Sequence, residues 1–140
     1  MATFKFRLER ILRLRETMEE RAMYTWGERM AKLHESKEQL EELFHLKEDV
    51  RKFGYKQHDL RLRQAMYSYL AVLDKKIAAQ TELVKERELL AEKARNAWFS
   101  ARKETKKVTI LRDKEYAHFV KEKQSKEQKE LDDMRPYVQE

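Results

Sequence analysis

The chain has 140 residues, of which 41% are charged, and it contains two glycines, one proline and no cysteine. A compact domain with several chain reversals needs more glycine and proline, and thiolate or disulfide chemistry needs cysteine, so the composition argues against both. The net charge is +6, but basic and acidic side chains alternate along nearly the whole chain, which disfavours a nucleic-acid-binding face.

The first predicted element is a helix over about residues 4–52, with Thr3 as its N-cap. Its apolar stripe recurs at helical spacing, and Arg15 and Lys37 fall within the same stripe. The stripe consists of Leu8, Ile11 or Leu12, Met18, Ala22, Trp26, Met30, Leu33, Leu40, Leu43 or Phe44, and Val50. Gly27 interrupts the helix beside Trp26, where it either admits a ring at close approach or is an ordinary flaw.

A turn is predicted over about residues 53–59. Gly54 suits the left-handed residue that ends a helix, and Asp59 suits the N-cap of the next one. With a reversal near position 56, residue i of the first helix should face roughly residue 112 − i of the second. This pairing sets Leu8 near Glu104.

The second predicted helix covers about residues 60–134, a span without glycine or proline. Its apolar residues alternate in steps of four and three, which is the spacing of a coiled-coil seam. The predicted seam runs through Leu62, Met66, Tyr69, Leu73, Lys76, Gln80, Leu83, Arg87, Leu90, Ala94, Ala97, Ala101, Glu104, Val108 and Leu111. Beyond Leu111 the same spacing meets only polar residues, so the pairing is predicted to end there.

These elements predict an all-α fold, in which residues 1–140 form a single two-helix antiparallel coiled-coil hairpin with a longer C-terminal helix. A homo-oligomer of long parallel helices would not need the reversal at Gly54. The single proline, Pro136, is predicted to stop the second helix.

The sequence predicts no catalytic residues, no cofactor and no metal site, and therefore no enzyme. The segment from His34 to Glu38 begins like a zinc-protease helix but has Glu38 in place of the second histidine. Carboxylates are abundant, yet an exposed two-helix structure offers nothing to desolvate them. No apolar run approaches the ~18 residues of a membrane span, so direct membrane insertion is not expected and a cytoplasmic location is the default.

Two surfaces stand out from the solvated background. Basic residues from both helices should meet at the open end of the hairpin, where self-repulsion favours an acidic partner. Aromatic residues concentrate near the turn, where some belong to the core and others suit a protein contact. These aromatics are Phe44, Phe53, Tyr55, Tyr67 and Tyr69.

The opening Phe4-x-Phe6-Arg7-Leu8-x-x-Ile11-Leu12 with Arg15-Glu16 resembles the start of the FliJ family of flagellar export proteins. The stretch Tyr69-Leu70-x-x-Leu73-x-x-x-Ile77-x-x-Gln80 is similar to the segment after that family's turn. The segment from Lys126 to Asp133 resembles the family's closing acidic signature, with Asp133 in place of the usual glutamate.

The resemblance implies a stalk-like coiled coil in the pore of the hexameric export ATPase, which promotes the assembly and activity of that ATPase. It also implies binding to the large cytoplasmic domain of the export gate and to export chaperones, at the cytoplasmic face of the membrane export apparatus. The expected ATPase contacts are Arg7, Arg10, Arg13, Lys107, Arg112 and Lys114. The expected gate contacts are Phe44, Tyr69, Leu73, Ile77 and Gln80.

Two other functions remain open from the sequence. An injectisome stalk protein would share every feature above, and a structural coiled-coil adaptor unrelated to secretion would share the fold without any effect on nucleotide turnover. A basic nucleic-acid-associated protein is disfavoured by the interleaved charges, since it would bind duplex in a steeply salt-dependent manner.

Overall fold

The computed structural model describes residues 3–135, and within this range it contains helices and no strand. Helix α1 covers Glu9–Tyr55, with 47 residues, and helix α2 covers Leu60–Met134, with 75 residues. The prediction of an all-helical chain with two helices is therefore confirmed. The predicted stop at Pro136 lies outside the described residues.

Helix α1 begins five residues later than the predicted start near Phe4, so the prediction of Thr3 as its N-cap is wrong. The backbone N–H of Glu9 donates to the carbonyl of Phe6 at 3.2 Å, and residues 3–6 carry no helical pattern. Phe6 is buried with 8% of its surface exposed. Burial of aromatic side chains in this segment outweighs the gain from one more helical turn, because a terminal turn makes few hydrogen bonds.

The turn differs from the prediction at Gly54. No described glycine has a positive φ, and Gly54 lies inside α1, so its predicted role as a left-handed cap is wrong. Gly54 is buried instead, and a Cβ placed there would overlap the sulfur of Met66. Glycine at this position therefore leaves room for the Met66 side chain against α1. Asp59 caps α2 as predicted, since its carboxylate accepts a hydrogen bond from the N–H of Arg61 at 2.9 Å.

The chain divides into two compact units, and the larger internal one is Ala22–Trp98. Within this unit, Lys47 pairs with Asp74 at 2.6 Å and Lys37 pairs with Glu88 at 3.6 Å. Partner numbers on α2 thus rise as those on α1 fall. The predicted register is wrong, because it placed Lys47 near position 65. The correct register follows from the later end of α1 and from the packing of Gly54 on Met66.

The seam of α2 in this unit is partly as predicted and partly shifted by one residue. Met66, Leu73 and Ala94 are buried as expected. Three predicted positions, Tyr69, Lys76 and Ala97, are exposed and therefore wrong, and their neighbours Leu70, Ile77 and Trp98 are half-buried instead. Leu83 and Leu90 are half-buried, but the residues next to them, Val84 and Ala91, are buried more deeply. A period of 3.5 residues fits both sets, because apolar residues also occupy many of the adjacent positions.

On α1, Ser36 is fully buried where the prediction had placed Lys37 in the seam. The Ser36 hydroxyl donates to the carbonyl of Leu33 at 2.8 Å, which satisfies the buried donor. Leu33 packs with Val84 and Ala91 in the hydrophobic cluster of this unit. Met30, also predicted in the stripe, is exposed.

Two polar side chains cross this seam to the backbone of α1. The side-chain amide of Gln80 donates to the carbonyl of Ser36 at 3.0 Å and to the side chain of Gln39 at 3.1 Å. Arg87 donates to the carbonyl of Lys32 at 2.8 Å. A polar seam residue favours one register only where its partner is a side chain, so the bond between Gln80 and Gln39 helps to specify how the helices align.

The other unit contains residues 3–21 and 99–135 of the described chain. Arg7 pairs with Glu115 at 3.8 Å, so the predicted proximity of Leu8 to Glu104 is wrong by about the same shift as in the first unit. The predicted end of pairing at Leu111 is also wrong, because Phe119 packs against Phe4. Residues 121–135 are all exposed.

We expect the two glycines to respond differently to alanine. Gly27 has no neighbouring atom within 4 Å of the position that an added methyl carbon would occupy, so it does not admit the ring of Trp26. Gly27→Ala should therefore raise the free energy of unfolding by about 1 kcal/mol. Gly54→Ala should give a smaller gain or a loss, because the new methyl displaces Met66. Thermal and urea unfolding measure both.

The Met66→Ala background provides the control for the second glycine. Removing the Met66 side chain removes the overlap, so Gly54→Ala should become more favourable there than in the wild-type background. Equal effects of Gly54→Ala in both backgrounds would contradict a close-approach role for Gly54.

Candidate interaction surfaces

The N-terminal segment of the chain is held on α2 by aromatic packing within the unit of residues 3–21 and 99–135. The ring of Phe4 lies 5.3 Å from that of Tyr116, edge to face, and 5.5 Å from that of Phe119. Leu12 and Phe6 are buried beside this contact. The phenylalanine-led opening of the sequence is therefore a packing motif that fixes where α1 begins.

Three of the six predicted ATPase contacts form ion pairs with acidic side chains of the same unit. Glu9, the first residue of α1, lies 3.9 Å from Arg13 and 3.6 Å from Arg112. Glu115 lies 3.8 Å from Arg7. An acid in the first turn also interacts favourably with the helix dipole. The expected self-repulsion at this end is thus partly offset within the chain.

The other three predicted ATPase contacts have no ion pair between the two helices in the described part of the chain. Lys107 pairs with Glu104 one turn away on its own helix at 3.1 Å. Arg10 and Lys114 are exposed, and neither has an ion-pair partner among residues 3–135. We call the set Arg7, Arg10, Arg13, Lys107, Arg112 and Lys114 the basic surface.

The basic surface can make many weak contacts with an acidic partner. Each exposed ion pair contributes only about 0–1 kcal/mol, so individual contacts form and break readily. Arg7, Arg13 and Arg112 can exchange their internal acids for those of a partner at little net cost. Arg10 and Lys114 carry charge that no described acid of this chain neutralises.

Sequence analysis missed an exposed apolar stripe in the same unit. Ile11, Leu14 and Met18 share one side of α1 and are all exposed. Met18 was predicted in the seam, where Arg15 and Glu19 are half-buried instead. The signal was present in the sequence, since Leu14 fits no position of the predicted stripe.

The predicted gate contacts, near the turn, separate into buried and exposed members. Leu73 has 0% of its surface exposed, so it belongs to the core and is not available to a partner. Ile77 is half-buried in the seam, and the amide of Gln80 is bonded to α1. Phe44 and Tyr69 remain accessible, with 50% and 42% of their surfaces exposed.

Three further aromatic side chains are exposed, because two helices are too few to cover them. Phe53, Tyr55 and Tyr67 are each exposed in the unit Ala22–Trp98. Trp26 and Trp98 instead stack on one another across the helices, with ring centroids 5.3 Å apart. Exposed aromatics near the turn are therefore a second group of accessible side chains, distinct in chemistry from the basic surface.

No group of three or more potential ligands able to hold a metal ion occurs among residues 3–135. Over the same residues, neither helix contains a segment sufficiently long and apolar to cross a membrane. The accessible features of the described chain are charged and aromatic surfaces on two long helices. They define a helical interaction protein.

Comparison with known families identifies the group. Residues 4–137 match the sequence model of the flagellar FliJ protein family, and the chain belongs to that family. It is therefore a flagellar export-associated protein, from a family of non-catalytic helical proteins. The search of curated proteins and the search of solved structures each give no match.

We expect Phe4→Ala to loosen the N-terminal segment, because the variant loses both aromatic contacts of Phe4. Aromatic pairs contribute roughly 0.5–1.5 kcal/mol each, so the local opening free energy should fall by about 1–3 kcal/mol. Hydrogen exchange at the first amides of α1 measures this loss. Tyr24→Ala removes an exposed aromatic elsewhere and should leave those amides unchanged. Unchanged exchange in Phe4→Ala would contradict the packing role.

Proposed function

We propose that this protein is a stalk-like component of the flagellar export apparatus that sits in the pore of the hexameric export ATPase. There it promotes assembly and activity of the ATPase. It couples the ATPase to the large cytoplasmic domain of the export gate and to export chaperones. It acts in the cytoplasm, at the cytoplasmic face of the membrane export apparatus.

The proposed fold for this role is an antiparallel coiled-coil hairpin with a longer C-terminal helix. Three observations support it: cross-helix partners run in opposite chain directions inside each unit, buried positions alternate in steps of four and three, and α2 has 75 residues against 47 in α1.

The basic surface is the observation that favours an ATPase contact. A stalk turning or rocking in a ring needs contacts that can be exchanged, and solvated arginine and lysine side chains meet this need better than interlocked apolar pockets. The pairs of Arg7 with Glu115 and of Arg112 with Glu9 are long and exposed, so an acidic loop can replace either acid. Arg10 and Lys114 add attraction that costs no internal pair.

Phe44 and Tyr69 are the residues we propose for the gate contact. Both are accessible, and aromatic residues are enriched at the centres of protein interfaces. Leu73 supports the surface from below and does not contact the gate. Ile77 and Gln80 contribute at most their half-exposed edges.

We expect charge reversal of the basic surface to abolish stimulation of the ATPase. The variant Arg7→Glu, Arg10→Glu, Arg13→Glu should bind the gate domain normally but fail to raise nucleotide turnover, because an acidic ring would repel it. Stimulation by the wild-type protein should also fade above roughly 0.3 M salt, where the Debye length falls below about 6 Å. A turnover assay with the purified ATPase measures both effects.

The matched control carries the same charge change elsewhere. Arg61, Arg63 and Lys75 are exposed near the start of α2, and their reversal to glutamate should leave stimulation intact. The pair Arg10→Glu with Lys114→Glu spares every described ion pair and separates partner contact from loss of internal pairs. Full stimulation by the folded triple variant would exclude the basic surface from the ring contact. Absence of stimulation by the wild-type protein would instead favour a structural adaptor.

We expect Phe44→Ala combined with Tyr69→Ala to weaken binding of the gate domain by at least about tenfold, since interface aromatics commonly contribute about 2 kcal/mol or more. The melting temperature should change little, because both side chains are exposed. Tyr24→Ala, which removes an exposed aromatic far along α1 from the turn, is the matched control and should bind normally. A lower melting temperature with unchanged affinity would assign Phe44 and Tyr69 to the core.

A further inference from the structure

Helix α2 carries a second apolar stripe outside its seam with α1. The positions recur in steps of three and four within the unit Ala22–Trp98, and eight of the eleven are apolar. We call this set the outer stripe: Leu62, Ala65, Tyr69, Val72, Lys76, Ala79, Leu83, Glu86, Leu90, Lys93 and Ala97. A helix with two such stripes is built to pack against two partner helices.

Only one of these partners is present in the unit. Each outer-stripe residue from 65 to 97 comes one position before a seam residue, so at 100° per residue the stripe lies about 100° from the seam and α1 covers it only at one edge. Leu83 and Leu90 are half-buried on that edge, whereas Leu62, Tyr69 and Val72 are exposed. Uncovered apolar area arranged as a seam is typical of a docking surface for a helix.

We propose that a second copy of this chain covers the outer stripe, with the two α2 helices antiparallel and related by a two-fold axis at position 81. Residue i of one copy then faces residue 162 − i of the other. Val72 meets Leu90, Ala79 meets Leu83, and Ala65 meets Ala97. Each layer is formed twice by symmetry, as an isologous interface requires.

The charged positions of the outer stripe select this alignment. Lys76 faces Glu86 of the second copy, and Lys93 faces the ring of Tyr69, so every charge meets a complementary group. None of these three charged residues has an ion-pair partner among residues 3–135. The charged residues that interrupt the outer stripe thus each meet a complementary group of the second copy.

Other alignments of the same stripe lack this complementarity. Sliding one copy by one heptad sets Lys76 against either Ala79 or Lys93. A parallel pairing places each charge against its own like charge, which opposes association. Only the antiparallel pairing about position 81 gives every charge a favourable partner.

The expected interface is small. From 65 to 97 the stripe is about 50 Å long at 1.5 Å per residue, and a helix contact is roughly 10 Å wide, so about 1,000 Å² is buried in total. This is the low end for a specific interface, so we expect weak association that depends on protein concentration. Tyr69 is shared with the proposed gate contact, so the dimer and the gate compete for one face of α2.

Sedimentation equilibrium of the isolated chain tests the proposal without any export component, so its result is separate from that of the proposed function. The wild-type mass should rise from monomer towards dimer with concentration. Ala79→Glu should weaken association at least about tenfold, because a charge is buried against Leu83. Ala78→Glu is the matched control, since Ala78 is also exposed but lies outside the outer stripe, and it should associate like the wild type.

A charge-swap pair tests the alignment itself. Lys76→Glu should weaken association by facing Glu86, and adding Glu86→Lys should restore it. These positions lie ten residues apart on one helix and cannot contact each other within a copy, so rescue reports a contact between copies. Circular-dichroism melts verify that every variant is folded. A monomeric wild type would assign the stripe to another protein, and equal effects at Ala78 and Ala79 or no rescue would overturn the proposal.

Discussion

The narrowness of a two-helix seam constrains everything else in this chain. Within residues 3–135 each helix buries one stripe against the other, and Leu73 is the one large side chain with no exposed surface. Such a seam has little apolar area with which to select a register, so polar side chains contribute to the selection. Gln80 and Arg87, one heptad apart, donate to α1 carbonyls that are themselves four residues apart. Because backbone carbonyls recur at every turn, the bond that depends most on the register is the one between the side chains of Gln80 and Gln39.

The helices and the reversal could be predicted from the sequence because they depend on local properties: long runs of helix formers, a period of 3.5 residues and a capping aspartate at Asp59. Local properties do not predict which of two adjacent rows of residues forms the seam. Leu83 and Leu90 fit a regular spacing as well as Val84 and Ala91 do, and only packing against α1 distinguishes the two sets. Gly54 shows the same limit, since a glycine needed for close approach and a glycine needed for a left-handed cap look alike in a sequence.

The sequence predicts the kinds of side chain at each candidate surface, whereas the accessibility of each side chain depends on the fold. Cations were predicted at the open end of the hairpin and aromatics near the turn, because the sequence is rich in each kind of residue in those segments. Which of them are accessible depends on the register, and the observed register, about nine residues from the predicted one, brings Glu115 to Arg7 and Arg112 to Glu9. Leu73 was predicted both in the seam and among the gate contacts, and only its place in the seam agrees with its burial. A prediction of charge or aromatic content stays valid when the register is wrong, whereas a prediction of individual contacts does not.

Two adjacent rows of residues on α2 have the spacing of a seam, and the reason lies in the surface of α2 itself. A helix with one partner needs one apolar stripe, and any further exposed apolar residue lowers solubility without stabilising the fold. Tyr69, Val72 and Leu62 are retained on α2 at positions that α1 does not cover, at the spacing of a second seam. Lys76, Glu86 and Lys93 interrupt that spacing and limit indiscriminate association, because each must find a complementary group before the stripe can be buried. Two candidate seams in the sequence therefore reflect a helix with two faces to cover, and the face left open by α1 is the one from which partners can be selected.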